Sequence, residues 1–197
     1  KAVAYNRRNY DVVSDLKKKI KSKKLKSVDV NISENSKYLK KKYGKNFKKV
    51  FLHVGSSSHI IDLLCYLFGN LKVLKTWKTN LSMSIVFVTK KKIPIFVNIN
   101  PSDAENPSLK VRFIDNDMWQ LSPIESLKIF KGNKTIKSNE NFFKKKIVPN
   151  LLIIKSEKKT MRPGFYNQMK YFASNDFKNL CSVKDNYNLI KIFNQIS

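Results

Sequence analysis

Four stretches of the chain place apolar residues three and four positions apart, the spacing that gathers them on one side of an α-helix. The stretch 11–24 is the clearest, because Val12, Val13, Leu16 and Ile20 fall on one side and lysines on the other. The other predicted helices are 55–69, 164–173 and 183–196. Each therefore has one face suited to a hydrophobic core.

Apolar and polar residues alternate in the intervening segments, as they do in half-buried β-strands. In 26–33, for example, Val28, Val30 and Ile32 alternate with polar residues. Further strand-like runs are 71–79, 82–89, 93–100, 108–114, 118–121, 127–130 and 148–155. Strands joined by hairpins pair antiparallel, and helices flank the run on both sides. The pattern predicts an α+β fold, with an open antiparallel β-sheet and helices packed on one face.

The second face of this sheet needs a partner, since a broad exposed apolar face is rare in monomers. We expect substrate or a second subunit there, and hence a homo-oligomer formed through the sheet face. The polar and basic stretch 132–146 is expected to leave the sheet as a mobile excursion.

The length of 197 residues suits one domain with its own core, so residues 1–197 are predicted to form a single domain. No apolar run approaches the roughly 18 residues that a membrane helix needs. Cys65 and Cys181 are isolated, which predicts neither a metal site nor a disulfide framework. Free thiols favour a reducing compartment, and we expect the cytoplasm.

The chain carries 40 basic and 14 acidic residues, a net charge of +26. Such a charge by itself suggests nucleic-acid binding. Only four of the basic residues are arginine, the side chain that reads bases best, and the lysines are spread over the whole chain. We therefore favour a positive field that attracts small anionic substrates over specific nucleic-acid recognition.

The segment 55–69 holds the strongest candidate for chemistry. Ser56 or Ser57 can cap the helix, and Gly69 suits its C-terminal end. His59 lies near the helix start, where the macrodipole opposes its protonation, so a neutral imidazole able to exchange a proton is expected. Asp62 follows on the same face, where it can orient that ring or bind a ligand hydroxyl. The alternative is a capped core helix that happens to contain a histidine.

Four segments, in order, resemble one enzyme family. The predicted helix 55–69 contains His-x-x-Asp-Leu-Leu, starting at His59, and the run 6–10 reads Asn-Arg-Arg-Asn-Tyr. The stretch 162–172 has Gln168 before an aromatic pair. The stretch 182–196 is a capped terminal helix. Together they resemble the C-terminal substrate and oligomerisation domain of the glucose–fructose oxidoreductase / inositol dehydrogenase family (Gfo/Idh/MocA).

The resemblance implies an NAD(P)-dependent oxidoreductase that moves a hydride between nicotinamide and a hydroxyl carbon of a sugar, sugar nucleotide or cyclitol. The family's Rossmann half, with its glycine-rich turn, has no counterpart among the five glycines of this chain, and its Glu-Lys-Pro motif is missing. We therefore expect the C-terminal part of a longer enzyme, with residues 1–10 as the tail of a nucleotide-binding domain. This segment by itself is expected to bind no NAD or NADP and to be inactive.

The resemblance also assigns candidate residues. His59 matches the family's proton-transfer histidine. Asn6, Arg7, Arg8, Asp62, Tyr166 and Gln168 are candidate substrate-binding residues. The arginines can bind phosphate or carboxylate, or form an ion pair within the protein. Tyr166 and Gln168 can line the pocket or simply pack. His53 can reach the same pocket, although a structural role is favoured.

The sequence departs from the family at one important point. Members often carry an aspartate four residues before the histidine, and here that residue is Gly55. The departure keeps open a non-catalytic α+β module that binds a sugar or partner, with a basic nucleic-acid-binding domain as the weaker alternative.

Overall fold

The computed structural model describes residues 2–46, 55–79, 82–100, 106–137, 145–157 and 162–196. The α-helices within these ranges are α1 (Asp11–Ser22), α2 (Ser36–Tyr43), α3 (Gly55–Phe68), α4 (Phe165–Ala173) and α5 (Val183–Ile196). The strands are β1 (Ala2–Val3), β2 (Leu25–Ser33), β3 (Leu71–Lys78), β4 (Met83–Thr89), β5 (Pro94–Asn100), β6 (Ser108–Phe113), β7 (Asp117–Leu121), β8 (Ser126–Lys137), β9 (Lys145–Ser156) and β10 (Cys181–Ser182). Short 3-10 turns at Asn6–Asn9, Gly44–Asn46 and Phe177–Asn179 join them.

Eight strands form one open sheet in the order β3-β4-β5-β2-β6-β7-β8-β9. The strands pair antiparallel except at β2–β5, which is parallel, with Val30 opposite Val97. The chain passes through α2, α3, β3 and β4 between these two strands, and such a long connection permits parallel pairing. β1 and β10 form a separate two-stranded ribbon that joins the two ends of the described chain.

The predicted α+β class with an open sheet is confirmed, and the parallel pair is the one departure from the predicted strand directions. The prediction that 132–146 leaves the sheet is wrong at both of its ends. β8 continues to Lys137 and β9 begins at Lys145, because Thr135 pairs with Ile147 and Lys137 with Lys145. Residues 138–144 lie outside the described ranges, as does His53.

One face of the sheet and three helices enclose the core. The sheet contributes alternate residues of its central strands, such as Val30, Phe87 and Val111, all buried. Leu16 of α1, Leu64 of α3 and Phe193 of α5 pack against them. Alternation with period two puts the intervening residues on the other face, and there Phe96 remains 42% exposed.

A buried ion pair ties the N-terminal segment to the helical layer. Arg8 donates from Nε and Nη2 to the two carboxylate oxygens of Asp62, at 2.7 and 2.5 Å, and these side chains are 5% and 2% exposed. Burial acts to lower the pKa of Arg8, but the hydrogen bonds and charge of Asp62 outweigh it and raise that pKa. Arg8 Nη1 also lies 3.4 Å from Asp185 Oδ2 at the start of α5.

We predict that Asp62→Asn lowers the free energy of unfolding by about 3–5 kcal/mol, because the buried Arg8 loses its bidentate counter-ion and keeps only the longer contact to Asp185. Asp15→Asn is the matched control, since it removes a carboxylate that pairs with Lys155 at 2.8 Å on the surface. The control should cost at most about 1 kcal/mol. Urea unfolding measures both, and equal effects would contradict a structural role for the buried pair.

Candidate functional site

A cleft of about 390 Å³ opens at the N-terminal end of α3. Its walls come from the 3-10 turn at Asn6–Asn9, from α2 and from the first turns of α3. The residues that line it are Asn6, Arg7, Tyr10, Glu34, Asn35, Tyr38, Leu39, Gly55, Ser56 and His59. Most of the lining residues have polar side chains, and they place a cation, an acid and an imidazole in one concave surface.

Glu34 caps α3 from outside the helix. It follows β2, is 4% exposed, and its carboxylate accepts a short hydrogen bond from the backbone N–H of Ser57. The prediction that Ser56 or Ser57 caps the N-terminus of this helix is therefore wrong. Ser57 donates its amide to Glu34, so this serine lies inside the first turn as a donor to the capping carboxylate. A carboxylate supplied by another element satisfies the orphan amide and meets the positive end of the helix.

Gly55 is required by the position of this carboxylate. Its φ is +66°, and a Cβ there would lie 2.6 Å from Glu34 Oε2. Any larger residue would displace Glu34 or adopt a strained backbone. Burial raises the pKa of Glu34, while the Ser57 side chain, the amides of Ser57 and Ser56 and the charge of Arg7 act to lower it.

His59 lies in the cleft wall with its Nδ1 enclosed. Nδ1 is buried and bonds to no group in the described part of the chain. The ring meets Tyr5 edge-to-face, with centroids 5.2 Å apart and planes at 86°. Since Nδ1 faces inward, proton exchange with a ligand in the cleft would take place at Nε2.

His59 is neutral near pH 7, in agreement with the prediction from sequence. Burial is the main cause, and the positive charge of Arg7 adds to it, so the pKa falls from 6.5 to about 4. Arg7 itself reaches the first turn of α3, where Nη1 lies 3.4 Å from the Ser56 carbonyl. The cleft therefore combines a neutral imidazole with a nearby fixed cation, which can bind an anionic or hydroxylated ligand.

The structure brings some of the predicted site residues together and separates others. Asn6 and Arg7 share the cleft with His59, although the Asn6 amide donates to the Pro163 carbonyl at 2.9 Å. Asp62 does not orient His59, because both of its oxygens accept from Arg8. The arginines were predicted either to bind a ligand or to form an ion pair within the protein. Arg8 forms the ion pair.

Tyr166 and Gln168 lie on α4 and do not line this cleft. Tyr166 is 63% exposed. The residues that sequence reasoning missed are Glu34, Tyr10 and Tyr38. Glu34 could have been noticed in the sequence as an acid directly after a buried strand, β2. Its contact with α3 could not be predicted from the residues around it.

The described residues contain no group of three or more His, Cys, Asp or Glu side chains arranged to hold a metal ion. Among the helices of the described ranges, none combines the length and apolar character needed to cross a bilayer. Cys65 and Cys181 are free, and burial raises the pKa of both thiols to about 12, so neither is a reactive thiolate.

We predict that the His59 imidazole titrates near pH 4, well below the usual 6.5. Its lowered pKa means that the folded state binds fewer protons than the unfolded chain between these values, so His59 reduces stability as the pH falls from 6.5 to 4. An NMR titration of the ring carbons measures the pKa, and His53→Asn assigns the two histidines. Arg7→Gln should raise the pKa of His59, and a midpoint near 6.5 in the unmodified protein would contradict the enclosed site.

No protein-family profile and no curated protein matches the sequence. Solved structures do match the fold. A dehydrogenase from Clostridium difficile superposes with a TM-score of 0.67 at 15% identity, over 99% of this chain and 62% of that one. An NAD-binding protein from Listeria innocua gives 0.61 at 16% identity, over 99% and 63%. The UDP-N-acetylglucosamine 3-dehydrogenase from Acidithiobacillus ferrooxidans gives 0.63 at 8% identity, over 98% and 58%.

The chain thus spans less than two thirds of the length of these structures while nearly all of it is matched. At identities this low, the superposition establishes the fold alone. The chain has the fold of the C-terminal domain of Gfo/Idh/MocA-type dehydrogenases.

Proposed function

We propose that this chain is the C-terminal, substrate-binding part of an NAD(P)-dependent oxidoreductase. The reaction would move a hydride between nicotinamide and a hydroxyl carbon of a sugar, sugar nucleotide or cyclitol. The observation that supports it best is His59, a neutral imidazole in the wall of an open polar cleft at the start of α3. The dehydrogenases that share the fold make a hydroxyl substrate the natural candidate.

The residues of the cleft suit the proton half of such a reaction. When a hydride leaves a carbon that bears a hydroxyl, the oxygen must lose its proton as the carbonyl forms. Nε2 of a neutral His59 can accept that proton, and the resulting imidazolium can return it in the reverse direction. Arg7 disfavours the imidazolium, which keeps the ring neutral until substrate arrives. A nicotinamide, when bound, would supply the hydride acceptor.

The cofactor itself would be held mainly elsewhere in the enzyme. The five glycines of the chain are too far apart in sequence for the glycine-rich turn that receives a dinucleotide pyrophosphate. The Nε2 atom of His59 and the Arg7 guanidinium fit the reacting end of a substrate, and they do not form a pyrophosphate cradle. We infer that residues 1–197 contribute the substrate wall of the site, as one substrate-binding and oligomerisation domain, and do not turn over alone.

Glu34 supports the catalytic alternative over the non-catalytic module. The main argument for lost catalysis is the glycine at position 55, where family members often have an aspartate. In this chain the Glu34 carboxylate lies within 2.6 Å of the place where the Cβ of that residue would be. The carboxylate of Glu34, the residue after β2, thus lies beside the start of α3, in the same cleft as His59.

We predict that His59→Asn, made in the intact natural protein, lowers kcat at least about 100-fold, the usual cost of losing a general base. Nicotinamide reduction is followed by absorbance with NAD or NADP and a panel of sugars, sugar nucleotides and cyclitols. The KM for the nicotinamide should stay unchanged, because His59 acts on substrate. Turnover that is unaffected by His59→Asn would remove the proposed role, and the absence of turnover with every substrate would favour the non-catalytic binding module.

We also propose that the chain forms a homo-oligomer through the uncovered face of the sheet. Phe96 is 42% exposed on β5, beside the half-buried Val86 of β4 in the paired register. Neighbouring polar groups on this face are satisfied in pairs, as Ser84 donates to Asn98 at 2.8 Å. A surface of apolar residues with satisfied polar groups around them resembles the composition of a subunit interface.

We predict that Phe96→Lys shifts the protein to a smaller species in size-exclusion chromatography with light scattering, because it buries like charges against each other in a symmetric interface. Ile190→Lys is the matched control, since Ile190 is also 42% exposed but lies on α5 in the helical layer. A mass unaffected by Phe96→Lys, or reduced equally by the control, would contradict an interface on this face.

A further inference from the structure

A second cleft, of about 440 Å³, lies at the C-terminal end of α3. α3 extends from Gly55 to Phe68, so the two clefts are separated by about 20 Å along one helix. The second cleft is lined by Cys65, Tyr66 and Gly69 of the α3 end, by Lys17 of α1 and by one side of α5. Its chemistry differs from that of the His59 cleft, because cations predominate.

Four cations and one acid line the second cleft. Arg8 is buried and held by Asp62, while the Asp185 carboxylate is 45% exposed and accepts from the Ser182 amide at 3.0 Å. The other three cations are Lys17, Lys178 and Lys191. In the described part of the chain, none of these three ammonium groups has a carboxylate within ion-pair distance. The cleft therefore presents three positive charges that are not neutralised.

Lys17 is the least solvated of the three. Its Nζ lies 3.2 Å from the centre of the Tyr66 ring, and Arg8 lies 5.2 Å from the same centre. The Tyr66 hydroxyl donates to Asn179 at 3.1 Å, which fixes the ring. Burial lowers the pKa of Lys17 to about 8, and the charges of Lys21 and Arg8 add to the effect. An anion beside Lys17 would relieve this repulsion.

Neutral donors complete the cleft. The side-chain amides of Asn70, Asn188 and Gln195 line it, and they can donate to phosphate oxygens or to hydroxyl groups. The C-terminal end of α3 adds an opposing field, but that field amounts to about half a negative charge. The positive charge of three ammonium groups is larger than this partial negative charge. The volume falls in the range of small-molecule sites, roughly 300–1,000 Å³.

We infer that the second cleft binds a phosphorylated small molecule, with Lys17, Lys178 and Lys191 holding its phosphate groups and the amides holding its uncharged part. The site is separate from the His59 cleft and does not depend on the proposed oxidoreductase activity. A ligand here would contact α1, α3 and α5 together, and would thereby stabilise the helical layer.

The test uses inorganic pyrophosphate as the probe, in calorimetric titrations of the purified chain at two salt concentrations. We expect one saturable site that weakens with salt. The triple variant Lys17→Gln, Lys178→Gln, Lys191→Gln should lose affinity about tenfold or more. The charge-matched control Lys90→Gln, Lys91→Gln, Lys92→Gln, in the β4–β5 hairpin, should bind within about twofold of the parent.

Equal loss in both triple variants would show attraction by overall charge alone and would overturn the assignment, as would the absence of saturation by millimolar pyrophosphate. NMR gives a second test that does not depend on the stability of the variants. Pyrophosphate should shift the signals of Tyr66 and Asn188 and raise the pKa of Lys17 from about 8, and unchanged signals there would also overturn the assignment. His59→Asn should leave pyrophosphate affinity unchanged, so this result and the fate of the oxidoreductase proposal can be told apart.

Discussion

The buried pair between Arg8 and Asp62 determines how the rest of the helical layer is arranged. Taking both charges out of water costs several kcal/mol per ion, and the geometry offsets that cost only because two short hydrogen bonds join them. The pair fixes the N-terminal segment against the middle of α3. Arg7 is then directed to the cleft while its neighbour is directed to the interior. One residue pair thus positions the cation that adds to burial in keeping His59 neutral.

Carboxylates are scarce in this chain, 14 against 40 basic residues, and the buried ones have specific structural roles. Glu34 caps α3 and Asp62 neutralises Arg8. At α5, Ser182 and Asp185 cap each other's amides, as the sequence predicted for Ser182. With 40 basic and 14 acidic residues, the acids cannot pair with every lysine. A generally positive field follows, and anions are its natural ligands.

The sequence predicted the elements well and their long-range contacts less well. Period-two alternation located β2, β4, β5 and β6, because each has one face in the core, and helical spacing located α1, α3 and α5 for the same reason. The ends of β8 and β9 were missed because Lys, Asn and Thr carry no burial pattern, although Thr135 pairs with Ile147. The parallel pairing of β2 with β5 depends on a crossover that no local signal records.

In the candidate site too, local motifs were predicted better than long-range contacts. Asn6, Arg7 and His59 were predicted from two motifs that can each be read locally, and the structure places all three in the lining of one cleft. Glu34 was not predicted, because its partners Gly55 and Ser57 follow some twenty residues later, and the contact exists only after β2 joins the sheet. Asp62 was predicted to orient His59 or to bind a ligand hydroxyl, and both of its oxygens instead accept from Arg8. Spacing along the helix allows both contacts, and the bidentate arginine is the stronger one.

Helix α3 combines two different electrostatic environments in one rigid element. At its N-terminal end, a buried acid and Arg7 surround a neutral imidazole, so a hydroxyl group can exchange a proton there without first displacing a counter-ion. At its C-terminal end, three cations line a cleft beside the ring of Tyr66. Because Asp62 joins Arg8 in the middle of the helix, a displacement of α3 would have to break a buried ion pair. The ion pair therefore stabilises the position of α3, the helix that contributes lining residues to both clefts.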